Sequence, residues 1–230
     1  MPFYYLTLAA GLIVTVGFLF SRSKGAGVKN LFFKMASSLC FLLTAVFAVI
    51  AKPDISYYGV LIIMGGALGL CGDITLDLKF IYPKDNHGYL LSGFIFFAIG
   101  HIFYNAAIIW HNQLKWWWVF ICIAVAIAVA VANTLSGKML GLDFGKYRNI
   151  VMLYSAFLAA TAFISILAAF VTHSTAMIAF AVGAVLFLLS DVVLSFTYFG
   201  KGWDKPVHIF VNHLLYYAAQ FIIASTIILL

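Results

Sequence analysis

Long apolar runs separated by short polar intervals set the pattern of this chain. Eight such runs lie at about residues 3–20, 31–51, 57–78, 89–110, 116–134, 149–171, 175–199 and 207–229. A bilayer core of about 30 Å takes roughly 20 apolar residues of helix to cross. Each run therefore predicts a transmembrane α-helix. Strands of a membrane barrel would show alternation over about 10 residues instead, and these runs are continuous. The pattern predicts an all-α membrane protein of eight transmembrane helices. The longest interval, Leu135 to Arg148, is too short for a second domain. Residues 1–230 form one transmembrane domain, and any chemistry belongs inside the bundle or at its rim.

Two aspartates interrupt the apolar pattern. They sit in Met64-Gly-Gly-Ala-Leu-Gly-Leu-Cys-Gly-Asp73 of span 3 and Gly183-Ala-Val-Leu-Phe-Leu-Leu-Ser-Asp191 of span 7. A carboxylate inside a membrane helix costs a few kcal/mol or more, so such residues face the protein interior and mark function.

Composition adds direction. The chain is 65% hydrophobic and 9% charged, with a formal net charge of +6. Eleven of the thirteen Lys and Arg fall on one side. These are Arg22, Lys24, Lys29 and Lys34, then Lys79 and Lys84, then Lys138, Lys146 and Arg148, then Lys201 and Lys205. Lys52 and Lys115 stand alone on the other side. The positive-inside rule puts the basic side in the cytoplasm and both termini outside it. The expected location is the bacterial inner (cytoplasmic) membrane. The basic rim suits anionic lipid head groups, and charges spread over short turns argue against nucleic acid. The first span lacks a basic leader before it and is expected to be retained. Cys40, Cys71 and Cys122 all fall within spans with no CxxC spacing. They predict neither a disulfide framework nor a zinc ribbon, only small packing residues.

The chain also repeats itself. Gly65 precedes Asp73, and Gly183 precedes Asp191, by the same interval. The following helices carry His101-Ile-Phe-Tyr104-Asn-Ala-Ala and His213-Leu-Leu-Tyr216-Tyr-Ala-Ala. Spans 3–4 thus match spans 7–8, which predicts a 4+4 internal repeat with halves near 1–115 and 116–230. An even number of spans makes the repeat parallel, and sites in such folds form between the halves.

Residues three and four apart share a helix face, and several spans carry a polar stripe on that spacing. Span 2 has Lys34, Ser37 and Ser38. Span 3 has Gly66, Gly69 and Asp73, continued by Asp77, which is expected to be a solvated helix-end charge. Span 4 has His101, Tyr104 and Asn105, span 6 has Tyr154 and Thr161, and span 8 has His213, Tyr216, Tyr217 and Gln220. In lipid these side chains must find one another or water, so they are expected to converge on one hydrated cavity. By depth, Lys34, Asp73, Asp191 and His213 belong to the basic half. His101 lies further out, where its expected part is to brace the bundle. Gly65, Gly69 and Gly72 are expected to permit close helix packing.

The set as a whole resembles the YhhN family of membrane proteins, which includes the lysoplasmalogenases. The residues that carry the resemblance are Lys34, Gly72-Asp73-Ile-Thr-Leu76, and Phe94, Phe97 and His101-Ile-Phe-Tyr104. Tyr154, Phe187-Leu-Leu-Ser190-Asp191 and Tyr216-Tyr217-Ala-Ala-Gln220 complete it. One departure is Met35 after Lys34, where the family often has proline. The resemblance implies a hydrolase that cleaves the vinyl ether of a lysoplasmalogen to a fatty aldehyde and a glycerophospho-ethanolamine or -choline. It also implies that two aspartates do the work.

That chemistry suits the residues. A vinyl ether must be protonated at its outer alkene carbon before water can add to the oxocarbenium ion that results. The step needs a proton donor, a negative charge and a positioned water. Two carboxyl groups close together do not both ionise easily, so one serves as acid while the other is anion and base. Asp73 and Asp191 are the expected pair, without assignment of which plays which part. Lys34 is expected at the substrate phosphate. Tyr154, Tyr216, Tyr217 and Gln220 are expected to orient the vinyl ether and water, with His213, His101 and Tyr104 completing the polar lining. The alkenyl chain is expected in an apolar groove among the Phe side chains. The expected partners are a lysophospholipid substrate and membrane lipid, with no cofactor and no metal. Two alternatives come from other classes. A small-molecule or proton-coupled transporter also uses tandem repeats and buried carboxylates. Against it, Pro2, Pro53, Pro83 and Pro206 all lie at span ends or turns. A metal-dependent lipid hydrolase would draw on Asp and His, but no H-E-x-x-H or His-rich run is present.

Overall fold

Proline opens helices here and interrupts none. Pro2 and Pro206 occupy the first turns of the first and last helices, and Pro53 and Pro83 open single 3₁₀ turns that lead into the third and fourth. At a helix start the missing N–H of proline has no intrahelical partner to lose. The computed structural model describes all 230 residues. Its eight long helices are α1 Pro2–Arg22, α2 Val28–Ala51, α3 Ser56–Ile81, α4 Asn86–His111, α5 Trp116–Ser136, α6 Arg148–Thr172, α7 Thr175–Phe199 and α8 Pro206–Leu229. All eight are long and apolar enough to cross a membrane. The sequence-derived spans fall within about three residues of these limits, since α3 and α4 each run on past the apolar stretch.

Six helices, α2, α3, α4, α6, α7 and α8, form the packed body. The most extensive pairings are α3 with α4 and α7 with α8. The body is closed by α4 against α6 and by α2 against α8. Two helices are peripheral: α1 lies over α2 and α8, and α5 packs extensively on α6 alone. Glycine permits the closest approach, as its spacing predicts. A Cβ at Gly65 would run into the Tyr104 ring, and one at Gly100 would meet the Gly65 carbonyl oxygen at 3.0 Å. Side chains facing outward along the spans are large and apolar, Ile13, Phe20, Phe120 and Phe170 among them.

The interval between α5 and α6 is more ordered than its polarity suggests. The Asp143 backbone N–H donates to the Phe199 carbonyl at 2.9 Å, and Leu142 pairs with Gly200 in an isolated antiparallel bridge. Leu142 and Phe144 are buried. This ties the loop to the end of α7 and closes the space between α5 and α7 from below.

Candidate functional site: a buried carboxylate pair

Asp73 sits midway along the polar face of α3, with its carboxylate surrounded by donors from two other helices. Its Oδ2 accepts from Ser38 of α2 at 2.6 Å and from Tyr216 of α8 at 2.7 Å. Its Oδ1 lies 3.4 Å from the Lys34 ammonium. Small residues on α3 make the room. A Cβ at Gly69 would come within 3.0 Å of the Gln220 amide nitrogen, and one at Gly72 within 2.7 Å of the Phe97 ring. A carboxylate with a cation and two hydroxyl donors is the well-satisfied form of a buried acid.

Asp191 has a different setting. Tyr154 of α6 donates to its Oδ2, and Ser190 donates to its Oδ1 at 3.2 Å. No Lys or Arg lies within ion-pair distance of it. The neighbouring backbone is pinned, because Asn212 of α8 donates to the Ser190 carbonyl at 2.7 Å. The two carboxyl groups therefore differ in partners: one faces a cation, and the other faces hydroxyls alone.

Both carboxyl groups line one small cavity of about 30 Å³, together with Lys34, Phe97, Tyr154, Tyr198, His213 and Tyr216. A space of that size admits one or two waters where polar partners are present. The cavity adjoins a larger one of about 250 Å³ between α5 and α7, floored by α6. The two share Phe94, Tyr154, Asp191, Leu194 and Tyr198. The larger space is apolar apart from a few groups such as Asn133 and Ser155, and exposed Val129, Leu140 and Val192 form part of its lining. It is a groove in the wall of an apolar bundle that ends on Asp191.

Lys34 is the hub of the charged network. Its ammonium donates to Asp77 Oδ1 at 3.1 Å as well as approaching Asp73. Asp77 also lies 3.8 Å from the Arg22 guanidinium. The expectation of a solvated Asp77 is therefore corrected: this side chain is only 3% exposed. Asp77 follows Asp73 by one helical turn, so both carboxylates point to the side where α2 presents Lys34. Partners from α1 and α2 enclose it.

The other polar residues fall into two groups. His213, Tyr154 and Tyr216 line the cavity. The remainder support it. Tyr104 donates to Gln220 Oε1 at 2.8 Å, and the Gln220 amide donates to the Tyr216 hydroxyl at 3.2 Å. This makes a chain of four groups that ends on Asp73. Tyr217 donates to the Lys34 carbonyl at 3.1 Å and shares a 3.1 Å hydrogen bond with Ser38. His101 pairs through Nδ1 with Thr161 at 3.0 Å and packs on Phe187, outside the cavity lining. His101 and Tyr104, expected in the polar lining, both stand outside it. Sequence reasoning left out Tyr198 and Asn212. Tyr198 lies seven residues, close to two turns, beyond Asp191 on the same face. Asn212 lies next to His213, at a position where an amide is costly in lipid unless it is bonded. No group of three His, Cys, Asp or Glu side chains gathers in a metal-binding arrangement. The three cysteines are unpaired, and Cys71 is exposed rather than packed.

The fold and site define a class: an eight-helix membrane-type bundle with a buried, asymmetrically partnered carboxylate pair beside an apolar groove. The YhhN family model matches residues 29–227, and the chain belongs to the YhhN family. Comparison with curated proteins and with solved structures gave no match.

Proposed function

We propose that this protein is a lysoplasmalogenase-like hydrolase that cleaves the vinyl ether of an alkenyl lysophospholipid by carboxyl acid–base catalysis. The observation that carries the reading is the pairing of Asp73 and Asp191 around one water-sized cavity at the end of an apolar groove. YhhN membership supports the same class of reaction.

In the proposed reaction the alkenyl chain lies in the groove between α5 and α7, with its vinyl ether at Asp191. Asp191, which has no cation beside it, gives its proton to the outer alkene carbon. The new C–H bond takes the alkene electron pair, and positive charge develops on the adjacent carbon and the ether oxygen. Asp73, held by Lys34, Ser38 and Tyr216, supplies the negative charge facing that cation. A water in the cavity then adds to the cationic carbon as Asp73 accepts its proton, giving a hemiacetal. Asp73 passes that proton to the glycerol oxygen as the C–O bond breaks, Asp191 takes the proton of the hemiacetal hydroxyl as its C=O bond forms, and fatty aldehyde and the glycerophospho-alcohol leave. The sum is one water consumed, with both carboxyl groups restored. Tyr154 and Tyr216 orient the two carboxyl groups, and the Tyr104–Gln220 link fixes Tyr216.

The same reading includes a 4+4 parallel repeat. The reciprocal contacts of α4 with α6 and of α2 with α8, and the peripheral places of α1 and α5, support it. The basic end is then cytoplasmic and both termini lie outside, in a bacterial inner membrane.

The test is aldehyde release by purified protein from lysoplasmalogen, with the matching acyl lysophospholipid in parallel. Aldehyde from the first and no fatty acid from the second is expected. Asp73→Asn and Asp191→Asn should each lower the rate about 10²- to 10⁴-fold, the range for loss of a general acid or base. Near-wild-type turnover in either variant would overturn the mechanism.

A further inference from the structure

A second feature of the basic end is left over once the carboxylate pair is accounted for. Three buried cations, Arg22, Lys34 and Lys79, face two buried carboxylates, Asp73 and Asp77. Among the three cations, Lys34 makes the closest contact to each carboxylate. Arg22 is left with a single ion contact at 3.8 Å, too long for a hydrogen bond, and its Nε is buried without any acceptor. Lys79 reaches no carboxylate within ion-pair distance. Its ammonium rests on the Tyr198 ring at 3.0 Å and near the Phe80 ring at 4.8 Å. Arg22 lies over the same Phe80 ring at 4.5 Å. The two cations are therefore neighbours, each less than 10% exposed, and the Arg22 Nε is a buried donor without a partner. Buried charge without a partner is costly, and an anion between Arg22 and Lys79 would satisfy both.

We propose that Arg22 and Lys79 form the seat for the phosphate of the substrate head group, an assignment that rests on the lipid-hydrolase reading above. The placement is consistent from both sides. Tyr198, which carries Lys79 on its ring, also lines the catalytic cavity and the apolar groove. A lysophospholipid has its phosphate a few bonds from the vinyl ether, on the far side of the glycerol from the chain. Chain in the groove, ether at Asp191 and phosphate beyond Tyr198 is the order that the molecule requires. Lys34, occupied by two carboxylates, then positions Asp73 and leaves the phosphate to Arg22 and Lys79. Guanidinium suits a phosphate through its planar fork, and lysine as a point charge.

The experiment reads binding without turnover, in neutral detergent. The probes are a non-hydrolysable 1-O-alkyl-glycerophosphoethanolamine, the uncharged 1-O-alkyl-glycerol of the same chain, and inorganic phosphate. Wild type should bind the phosphodiester analogue about 10- to 100-fold more tightly than the alkyl-glycerol, the range for a charge-assisted hydrogen bond. Arg22→Gln and Lys79→Gln should each erase most of that preference and leave alkyl-glycerol binding unchanged, whereas Lys79→Arg should keep it. Binding of the uncharged probe by each variant is the control for folding. No preference in wild type, or an undiminished preference in both Gln variants, overturns the seat. Inorganic phosphate binding as tightly as the analogue overturns the head-group assignment in favour of a free anion. A wild type that prefers the analogue yet releases no aldehyde from lysoplasmalogen refutes the hydrolase reading and leaves the seat standing.

Discussion

Replacing Lys34 with methionine keeps an unbranched apolar stem out to the ε position and removes the one cation shared by Asp73 and Asp77. In the folded protein its ammonium is 3.4 Å from the first carboxylate and 3.1 Å from the second. Removing one partner from a buried ion pair costs about 3–5 kcal/mol, because the other charge stays buried and uncompensated. Asp77 retains Arg22 only at 3.8 Å, and Asp73 retains Ser38 and Tyr216, so the lower part of that range applies to Asp73. At about 2–4 °C per kcal/mol for a chain of this size, Lys34→Met should lower the melting temperature by roughly 6–20 °C. The diagnostic step is to add Asp77→Asn. If the loss comes from uncompensated charge, the double variant melts higher than Lys34→Met alone. If Lys34 contributes only packing, the two substitutions add. Thermal unfolding of the four proteins in one detergent, followed by tryptophan fluorescence, completes the cycle. Additivity within about 0.5 kcal/mol, or a Lys34→Met protein that melts like wild type, would refute the network.

Three further outcomes are expected. Tyr154→Phe removes the hydroxyl donor to Asp191 and should lower aldehyde release about 10- to 100-fold, the worth of a hydrogen bond to a charged or catalytic group, with KM little changed in a steady-state assay. Gly72→Ala forces the Phe97 ring aside and should cost about 1–3 kcal/mol as an overpacked core does; Gly88→Ala, which meets open space, should melt like wild type. Val192→Trp narrows the groove at its edge and should raise KM for long alkenyl chains about 10-fold or more, on the scale of 1–3 kcal/mol for a mismatched apolar pocket, while short-chain substrates react unchanged.

Much of this architecture can be read from the chain. The eight helices follow from the length of the apolar runs, and their ends from proline placement. Asp73 and Asp191 stand out because lipid tolerates few carboxylates. The i, i+3 and i+4 stripes place Ser38, Tyr216 and Gln220 on faces that do meet. The misreadings share one cause. The environment of Asp77 depends on Arg22 of α1 and Lys34 of α2, and nothing in span 3 reports what those helices bring. Arg22 and Lys79 read as rim charges because flanking position is what the topology rule uses, whereas burial is decided by the neighbouring helices. The groove is also invisible in sequence. It exists because α5 stays with α6 and leaves α7 uncovered, a choice of packing that the apolar faces of α5 do not encode. The link from Leu142 to Gly200 is a backbone pairing between distant segments, and no local signal marks it.

The groove between α5 and α7 has a kinetic consequence of its own. If a substrate reaches Asp191 through a cleft in the bundle wall, the pool that feeds the enzyme is the two-dimensional one in the leaflet. Bulk molarity then drops out as the governing variable, and the surface mole fraction of substrate takes its place. Diluting the substrate with inert lipid at fixed total concentration slows such an enzyme, and adding more vesicles of the same composition does not. For the proposed vinyl-ether hydrolysis the two products would also part company, the aldehyde staying in the bilayer and the phosphorylated glycerol passing to water. That partition separates the products as soon as they leave the cavity and opposes the reverse reaction.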